Sequence, residues 1–325
     1  MAQAATERII EEGTSIRSLL QEELGRENVF QGEPLSKHTS FRVGGLADWL
    51  LRANDADALV RAIHIAQRFR QPFRIIGGGS NILVSDRGIE GIVILNRANN
   101  YELIERAGGF LLVAESGVQL PRVAGELAKR GASGMEWGVG VPGTVGGAVV
   151  QNAGAWGSET KDRLLSIEYL VPHTGETKRI QADKLGLRYR GSNILDQPPE
   201  QRPVILRAWF RLERDDPAAI AARNMRYREE RTATQPRAAS GGSTFRNPPG
   251  DYAGRLLDAA GLKGYHTGGA RFSEKHANFI VNEGSATATD IRHLIEHAQE
   301  VVRQRFGIQL ETEVEFVGEW ERDER

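Results

Sequence analysis

Residues 73–81, FRIIGGGSN, read as a short apolar strand that stops abruptly at Gly77, Gly78 and Gly79, with Ser80 and Asn81 following. Upstream, FRV (41–43) and ADWLLRA (47–53) read as extended runs, and the apolar periodicity of Ala56–Phe69 predicts a helix between them and this strand. The unit is therefore a β–α–β beginning. Downstream, GIVILN (91–96) and FLLVAESG (110–117) predict further strands, and Leu120–Lys129 a helix stopped at Gly131. The N-terminal side predicts an amphipathic helix through residues 5–24, with Ile9, Ile10, Ile16, Leu19, Leu20 and Leu24 recurring at helical spacing up to Gly25.

A glycine-rich stretch at 131–157, GASGMEWGVGVPGTVGGAVVQNAGAWG, has no repeating period and is punctuated by Val, Trp and Pro, so it is neither collagen-like nor a flexible linker. SIEYLV, KRIQA and PVILRAWFRL then predict antiparallel strands, and the composition changes at Asp215-Asp216-Pro217. Beyond it come a helix over 217–233, the loop QPRAASGGSTFRNPPG and a short helix from Asp251 with Tyr252, Leu256, Leu257 and Ala260 inward. The strand NFIVN follows, then a helix from Thr287 to Gly307 with Ile291, Leu294, Ile295, Ala298, Val301, Val302 and Phe306 on its apolar face. The final run LETEVEF alternates, with Leu310, Thr312, Val314 and Phe316 on one face and Glu311, Glu313 and Glu315 on the other. The expected organisation is an N-terminal helix (1–30), a two-lobed domain (31–214), a separate α+β domain (215–307) and a C-terminal strand (308–325).

Composition narrows the chemistry. The 325 residues include no cysteine, which excludes disulfides, thiolate metal sites and cysteine nucleophiles. Lys+Arg number 42 against 43 Asp+Glu, so no surplus of positive charge speaks for nucleic acid as a partner. No apolar run reaches about 18 residues, and Glu7, Glu11 and Glu12 occupy the place of a signal-peptide core, so the expected setting is the cytoplasm with no membrane partner. The seven histidines show no metal-ligand spacing, and no metal site is expected.

The string Gly138-x-Gly140-x-x-Gly143 matches a dinucleotide fingerprint, but no apolar strand precedes it and Pro142 lies inside it. GGGSN lacks the lysine and spacing of a Walker A loop. It can form a phosphate nest, with Ser80 and Asn81 as added donors, or a tight turn, and the pentapeptide alone does not choose between them. In GVPGTVGG, Gly143, Gly146 and Gly147 permit close backbone approach to a ligand or close packing of loops, and Asn152 can hydrogen-bond a ring rich in amides. Ser243 stands in no nucleophile elbow, and Arg190 is one of 35 arginines.

Taken together and in order, FRVGG, RIIGGGSNILVSD, GVPGTVGGAVVQNAGAWG, YRGS, GGSTFRNP, AGRLLDAAGLKG, GGARFSEKHANFIVN and LETEVEF resemble the UDP-N-acetylenolpyruvoylglucosamine reductases over about residues 35–318. The resemblance implies an α+β protein with a bilobed FAD-binding domain of the PCMH (vanillyl-alcohol-oxidase-like) type, followed by a smaller α+β substrate-binding domain. It implies non-covalent FAD, NADPH as co-substrate, and reduction of UDP-N-acetylglucosamine enolpyruvate to UDP-N-acetylmuramate for peptidoglycan. Cofactor contacts are implied at Gly77, Gly78, Gly79, Ser80, Asn81, Pro142, Gly143, Thr144, Gly146, Gly147, Asn152, Ala153 and Gly154. It further implies Ser243 as proton donor, Arg190 and Glu313 as its partners on a developing enolate, and Tyr189, Asn247 and His276 as substrate contacts. The chain departs from the family pattern at Arg246, Asn193 and Trp156, and its short link after YRGS resembles the shorter family form without an inserted lid. The rival readings are another PCMH-type flavin oxidoreductase and a non-catalytic sugar-nucleotide binder.

Overall fold

The computed structural model describes residues 15–320. The first lobe contains α1 (Ile16–Leu24), β1 (Val29–Pro34), β2 (Leu46–Ala53), α2 (Ala56–Arg68), β3 (Phe73–Ile76), β4 (Ile82–Val84) and β5 (Ile89–Asn96). Its sheet runs β1-β2-β5-β3, parallel along β2, β5 and β3, with α2 as the crossover. Asp55 starts α2 by accepting from the Ala58 N–H at 2.6 Å, and Leu59, Ala62, Ile63 and Ala66 form its buried face. Ile92, Val93, Ile94 and Leu95 are all fully buried, as a parallel strand covered on both faces requires. Ile9 and Ile10 of the predicted first helix lie outside the described residues.

The second lobe is an antiparallel sheet built from β6 (Tyr101–Arg106), β7 (Gly109–Glu115), the short β8 (Ala132–Ser133), β11 (Leu164–Leu170), β12 (Thr177–Gln181) and β13 (Val204–Arg214). α3 (Leu120–Lys129), α4 (Val145–Gln151) and the small ribbon β9–β10 (Gly154–Ala155, Ser158–Glu159) accompany it. Leu112, Val123, Ile167, Phe210 and Leu212 are among its buried core. The helix after Asp215, α5 (Pro217–Thr234), packs on this lobe: Trp156 stacks on Tyr227 with ring centroids 4.4 Å apart, and Arg223 pairs with Glu136 at 2.8 Å.

The third unit places α6 (Ala253–Ala259) and α7 (Ala288–Phe306) against a small sheet, β14 (Ala239–Ser240), β17 (Ile280–Asn282), β16 (Ala270–Phe272) and β15 (His266–Thr267). The chain then leaves this unit. Its last strand, β18 (Glu315–Val317), pairs in parallel with β4 of the first lobe, Glu315 opposite Ile82. The two-lobed α+β architecture with a third α+β unit is the expected one.

Several local expectations change. Phe41–Val43 is no strand: Arg42 sits at φ 56°, and fully buried Phe41 fills the space a side chain at Gly241 would need. β1 and β6 were not anticipated, because β1 breaks its apolar alternation at Gly32 and Glu33 and β6 buries only Leu103. Tyr252 is 70% exposed, not inward, because it precedes α6 in extended conformation. Phe306 is 37% exposed, since α7 ends there and the core no longer faces it.

Asp86, just after β4, joins the first lobe to the third unit. Its carboxylate accepts from the Ala288 N–H at 2.8 Å, the Thr289 N–H at 2.9 Å and the Thr289 hydroxyl at 2.8 Å, satisfying open donors at the start of α7. Asp86→Ala is expected to lower the unfolding free energy by about 1–2 kcal/mol, the cost of a lost helix cap. Urea denaturation followed by circular dichroism measures it, and an unchanged midpoint would show that this junction contributes nothing.

Candidate active site

The two glycine-rich loops meet. A Cβ on Gly78 would lie 2.9 Å from the Gly143 Cα, and one on Gly77 would lie 2.7 Å from the Thr144 hydroxyl oxygen. These glycines are therefore required by the packing of loop on loop, and Gly143, at φ 130°, also by its backbone. The Ser80 hydroxyl donates to the Pro142 carbonyl at 3.1 Å, and Thr144 caps α4. Together they wall a cavity of about 620 Å³, within the usual range of about 300–1,000 Å³ for small-molecule and cofactor sites. Gly77–Asn81, Pro142, Gly143, Thr144, Gly146, Gly147, Ala153 and Gly154 all line it.

Three distant segments bring Arg190, Ser243 and Glu313 to the same cavity. Arg190 lies in a tight turn closed by reciprocal backbone bonds between Arg188 and Gly191, and it adopts φ 50°, a conformation that costs about 1–3 kcal/mol for a residue with a side chain. Its guanidinium donates to the Gly154 carbonyl at 3.1 Å, and its Nε lies 2.8 Å from Glu313 Oε1. That contact is close in distance but poorly aligned, so the buried Nε–H lacks a proper hydrogen-bond acceptor. Ser243 precedes a segment clamped by Asn278, which accepts from the Phe245 N–H at 2.9 Å and donates to the Phe245 carbonyl at 2.8 Å. Glu313 joins that segment directly: its N–H donates to the Thr244 carbonyl at 2.8 Å.

Four expected contacts do not line the cavity. Asn152 is fully buried at the end of α4, with its side chain engaged by Glu159, the Arg188 carbonyl and the Lys161 N–H. Asn247 accepts from the Ala253 N–H at 3.0 Å and so starts α6. His276 accepts from the Asn278 N–H at 3.2 Å and meets the ring of Phe279 edge-on, and burial lowers its pKa. Tyr189 is 49% exposed. Arg74, Gln151, Arg202, Arg231 and Gln235 line the cavity without having been singled out. Nothing in composition separates these three arginines from the other 32, and only the folding of the chain brings them there.

A family model described as the UDP-N-acetylenolpyruvoylglucosamine reductase C-terminal domain matches residues 235–317, and one described as an FAD binding domain matches residues 47–181. The chain is 42% identical over 293 residues to the UDP-N-acetylenolpyruvoylglucosamine reductase of Synechococcus sp. (strain RCC307), covering 90% of this chain and 94% of the relative. It is 43% identical over 287 residues to that of Rubrobacter xylanophilus, covering 88% and 94%. It belongs to the UDP-N-acetylenolpyruvoylglucosamine reductase family. The crystal structure of the Thermus caldophilus reductase superposes with a TM-score of 0.73 at 34% identity, over 87% of this chain and 97% of the other.

The cavity fits the FAD that this family binds. The FAD-binding match spans both glycine loops, and a Cβ on Gly147 would meet only the Thr144 hydroxyl, at 3.7 Å, so this part of the cavity wall is uncrowded. Gln151 Oε1 and Gln235 Oε1 are buried cavity-lining acceptors without a partner, suited to the N–H and O–H donors of a flavin and its ribityl chain. Of the departures from the family pattern, Trp156 braces α5 by its stack on Tyr227 and by donating to Glu230 at 2.7 Å, and Arg246 lies 3.6 Å from Glu311. Arg231 makes no ion pair among the described residues, and burial disfavours its charge, which leaves it open to an anion.

Burial pushes the Glu313 carboxyl above its ordinary value of 4.5, although Arg190 and Arg246 pull the other way. The folded state therefore holds this proton more tightly than the unfolded state, so its stabilising contribution is complete below about 4.5 and is lost as pH rises through the folded value. Glu313→Gln, which is neutral throughout, should gain stability relative to the parent as pH rises from about 4 to about 7. Urea melts at several pH values test this, and a pH-independent difference would mean that the carboxyl titrates normally.

Proposed function

We propose that the chain reduces the enolpyruvyl ether of UDP-N-acetylglucosamine enolpyruvate to UDP-N-acetylmuramate in the cytoplasm, with FAD as cofactor and NADPH as reductant. The observation that carries the reading is the meeting of Arg190, Ser243 and Glu313, from three separate segments, in the cavity walled by both glycine loops. Bound FAD supplies hydride transfer from NADPH to the methylene carbon of the enolpyruvyl group.

The protein's residues manage the charge and the proton. Negative charge develops on the substrate carbon beside the carboxylate, and Arg190, 77% buried at its side chain, stabilises it with little screening by water. The backbone strain at Arg190 supports this role, because such conformations persist where the surroundings over-determine them. Ser243 Oγ gives its proton to that carbon. A neutral hydroxyl is already in the form needed at neutral pH and requires no base to prepare it. Glu313, with its raised pKa, orients the same charge together with Arg190. Arg231 offers a counter-charge to the anionic part of the substrate.

The two halves of the reaction separate the proton donor from everything else. Ser243→Ala should bleach with NADPH at close to the parent rate, since that half involves no proton for carbon. Reoxidation by the enolpyruvyl substrate should then slow by about 10²–10⁴-fold, the loss expected for a positioned general acid. Stopped-flow absorbance reads both halves. Equal slowing of the two would sink the assignment of Ser243.

A further inference from the structure

We propose that Asn81 is a positioning residue for Glu313: its side-chain amide reaches out of the first glycine loop and fixes the peptide that carries the carboxylate. The proposal rests on the role of Glu313 in the reaction above. It goes beyond that role by naming what sets the position of the acid.

Glu313 belongs to neither of the sheets beside it. β18 begins two residues later, at Glu315. On one side the run 311–313 is bonded to the Ser243 segment: the Arg246 N–H donates to the Glu311 carbonyl at 2.9 Å, Phe245 bridges Thr312, and the Glu313 N–H donates to the Thr244 carbonyl at 2.8 Å. On the other side the Glu315 N–H donates to the Asn81 carbonyl at 3.0 Å, which opens the parallel ladder with β4. One step earlier along that ladder, the Glu313 carbonyl accepts from the Asn81 side-chain amide at 2.9 Å. Asn81 thus holds the strand at two points, and the second is a side chain.

The geometry explains why this residue is asparagine. A serine is too short to extend the ladder from the loop, and an aspartate would set an acceptor against a carbonyl and add negative charge near a buried acid. The loop that carries the amide is itself anchored, by the Ser80 hydroxyl on the Pro142 carbonyl and by the Ser40 N–H on the Gly79 carbonyl at 2.9 Å. The peptide of Glu313 is therefore suspended between the proton-donor segment and the cofactor loop. A turn of that peptide would carry the carboxylate away from the Arg190 guanidinium, now 2.8 Å distant.

A double-mutant cycle in the flavin-loaded enzyme tests this, with Asn81→Ala, Glu313→Gln and the pair. Because Asn81 also lines the cofactor cavity, each variant is compared at full flavin occupancy and its loss in the substrate half-reaction is read relative to its own rate of flavin reduction by NADPH. Asn81→Ala should slow the half-reaction with the enolpyruvyl substrate by about 10–100-fold, the scale of a misplaced catalytic group, with substrate affinity little changed. Added to Glu313→Gln it should cost less than about twofold more, because the group it positions is already gone. Additive losses, or an equal slowing of both half-reactions with loss of flavin, would overturn the proposal. Should Asn81→Ala fail to fold, Asn81→Ser, uncharged and too short to reach the Glu313 carbonyl, carries the same comparison. A second readout needs no turnover: carbon-13 NMR of the glutamate carboxyls in the apoprotein, with Glu313 assigned through Glu313→Gln. The Glu313 midpoint should rise further in the Asn81 variant, because the Arg190 guanidinium that opposes the effect of burial would lie farther away, and an unchanged midpoint would count against the proposal. If Glu313→Gln alone leaves the substrate half-reaction intact, the functional reading of Glu313 fails instead, and the titration still decides whether Asn81 fixes the carboxyl.

Discussion

The parallel pairing of Glu315–Val317 with Ile82–Val84 is the constraint on which the site depends. It draws the end of the chain out of the third unit and sets it on the first lobe beside the first glycine loop. Closing so long a loop costs conformational entropy, but that cost grows only logarithmically with length, and a short buried ladder can offset it. Leu83 and Val84 are fully buried and Val314 and Val317 nearly so, which supplies apolar burial at the join. Without the ladder, Glu313 would have no fixed relation to the cavity. With it, an acid from the last strand, an arginine from the second lobe and a serine from the third unit share one volume.

Electrostatics at that meeting point are balanced rather than strong. The Arg190–Glu313 contact is mostly buried but misaligned, so the Arg190 Nε–H is not fully satisfied. A fully satisfied pair would hold both charges too well to respond to new negative charge on a substrate; an imperfect one leaves Arg190 with a donor in reserve. The raised pKa of Glu313 has the same origin, since desolvation there outweighs the attraction of two nearby guanidiniums. Imperfect pairing and a strained backbone at Arg190 fall in one place, as expected where a fold sacrifices local stability for chemistry.

Much of this was legible in the sequence, and what was not has physical reasons. The strand running into GGGSN, the helix ending before Gly131 and the capped helix Ala288–Phe306 follow from period and punctuation, which are local properties. The alternation of LETEVEF correctly put three glutamates on one face, yet their fates differ: Glu311 is 75% exposed at its side chain while Glu313 turns into the cavity. Alternation says which side a residue takes, not what stands there. Asn152, Asn247 and His276 have polar side chains in promising stretches, and each is engaged by backbone within a few positions of it or by its own lobe. Local competition for polar groups of this kind cannot be read from residue type alone. The resemblance of the assembled motifs to a family, not any single motif, is what made the remote grouping of Arg190, Ser243 and Glu313 legible.

The glycine loops show why residue type alone leaves that ambiguity. Within one cavity wall, Gly77 and Gly78 are small because another loop presses on them, Gly143 because of its backbone angle, and Gly147 without crowding from any close neighbour. A packed turn and a cavity wall are therefore not alternatives here: the loops that press on one another also line the cavity. The second loop is tied down by the Leu120 N–H on the Gly143 carbonyl at 3.0 Å, the Val145 N–H on the Val118 carbonyl at 2.9 Å and the Gly146 N–H on the Ser116 carbonyl at 2.8 Å. A ligand entering between loops held this way need not order them, so less of its contact energy is lost to conformational entropy. The same stiffness passes through Asn81 to the strand that carries Glu313, and the glycine-loop wall of the cavity is thereby also the support of the acid that lines it.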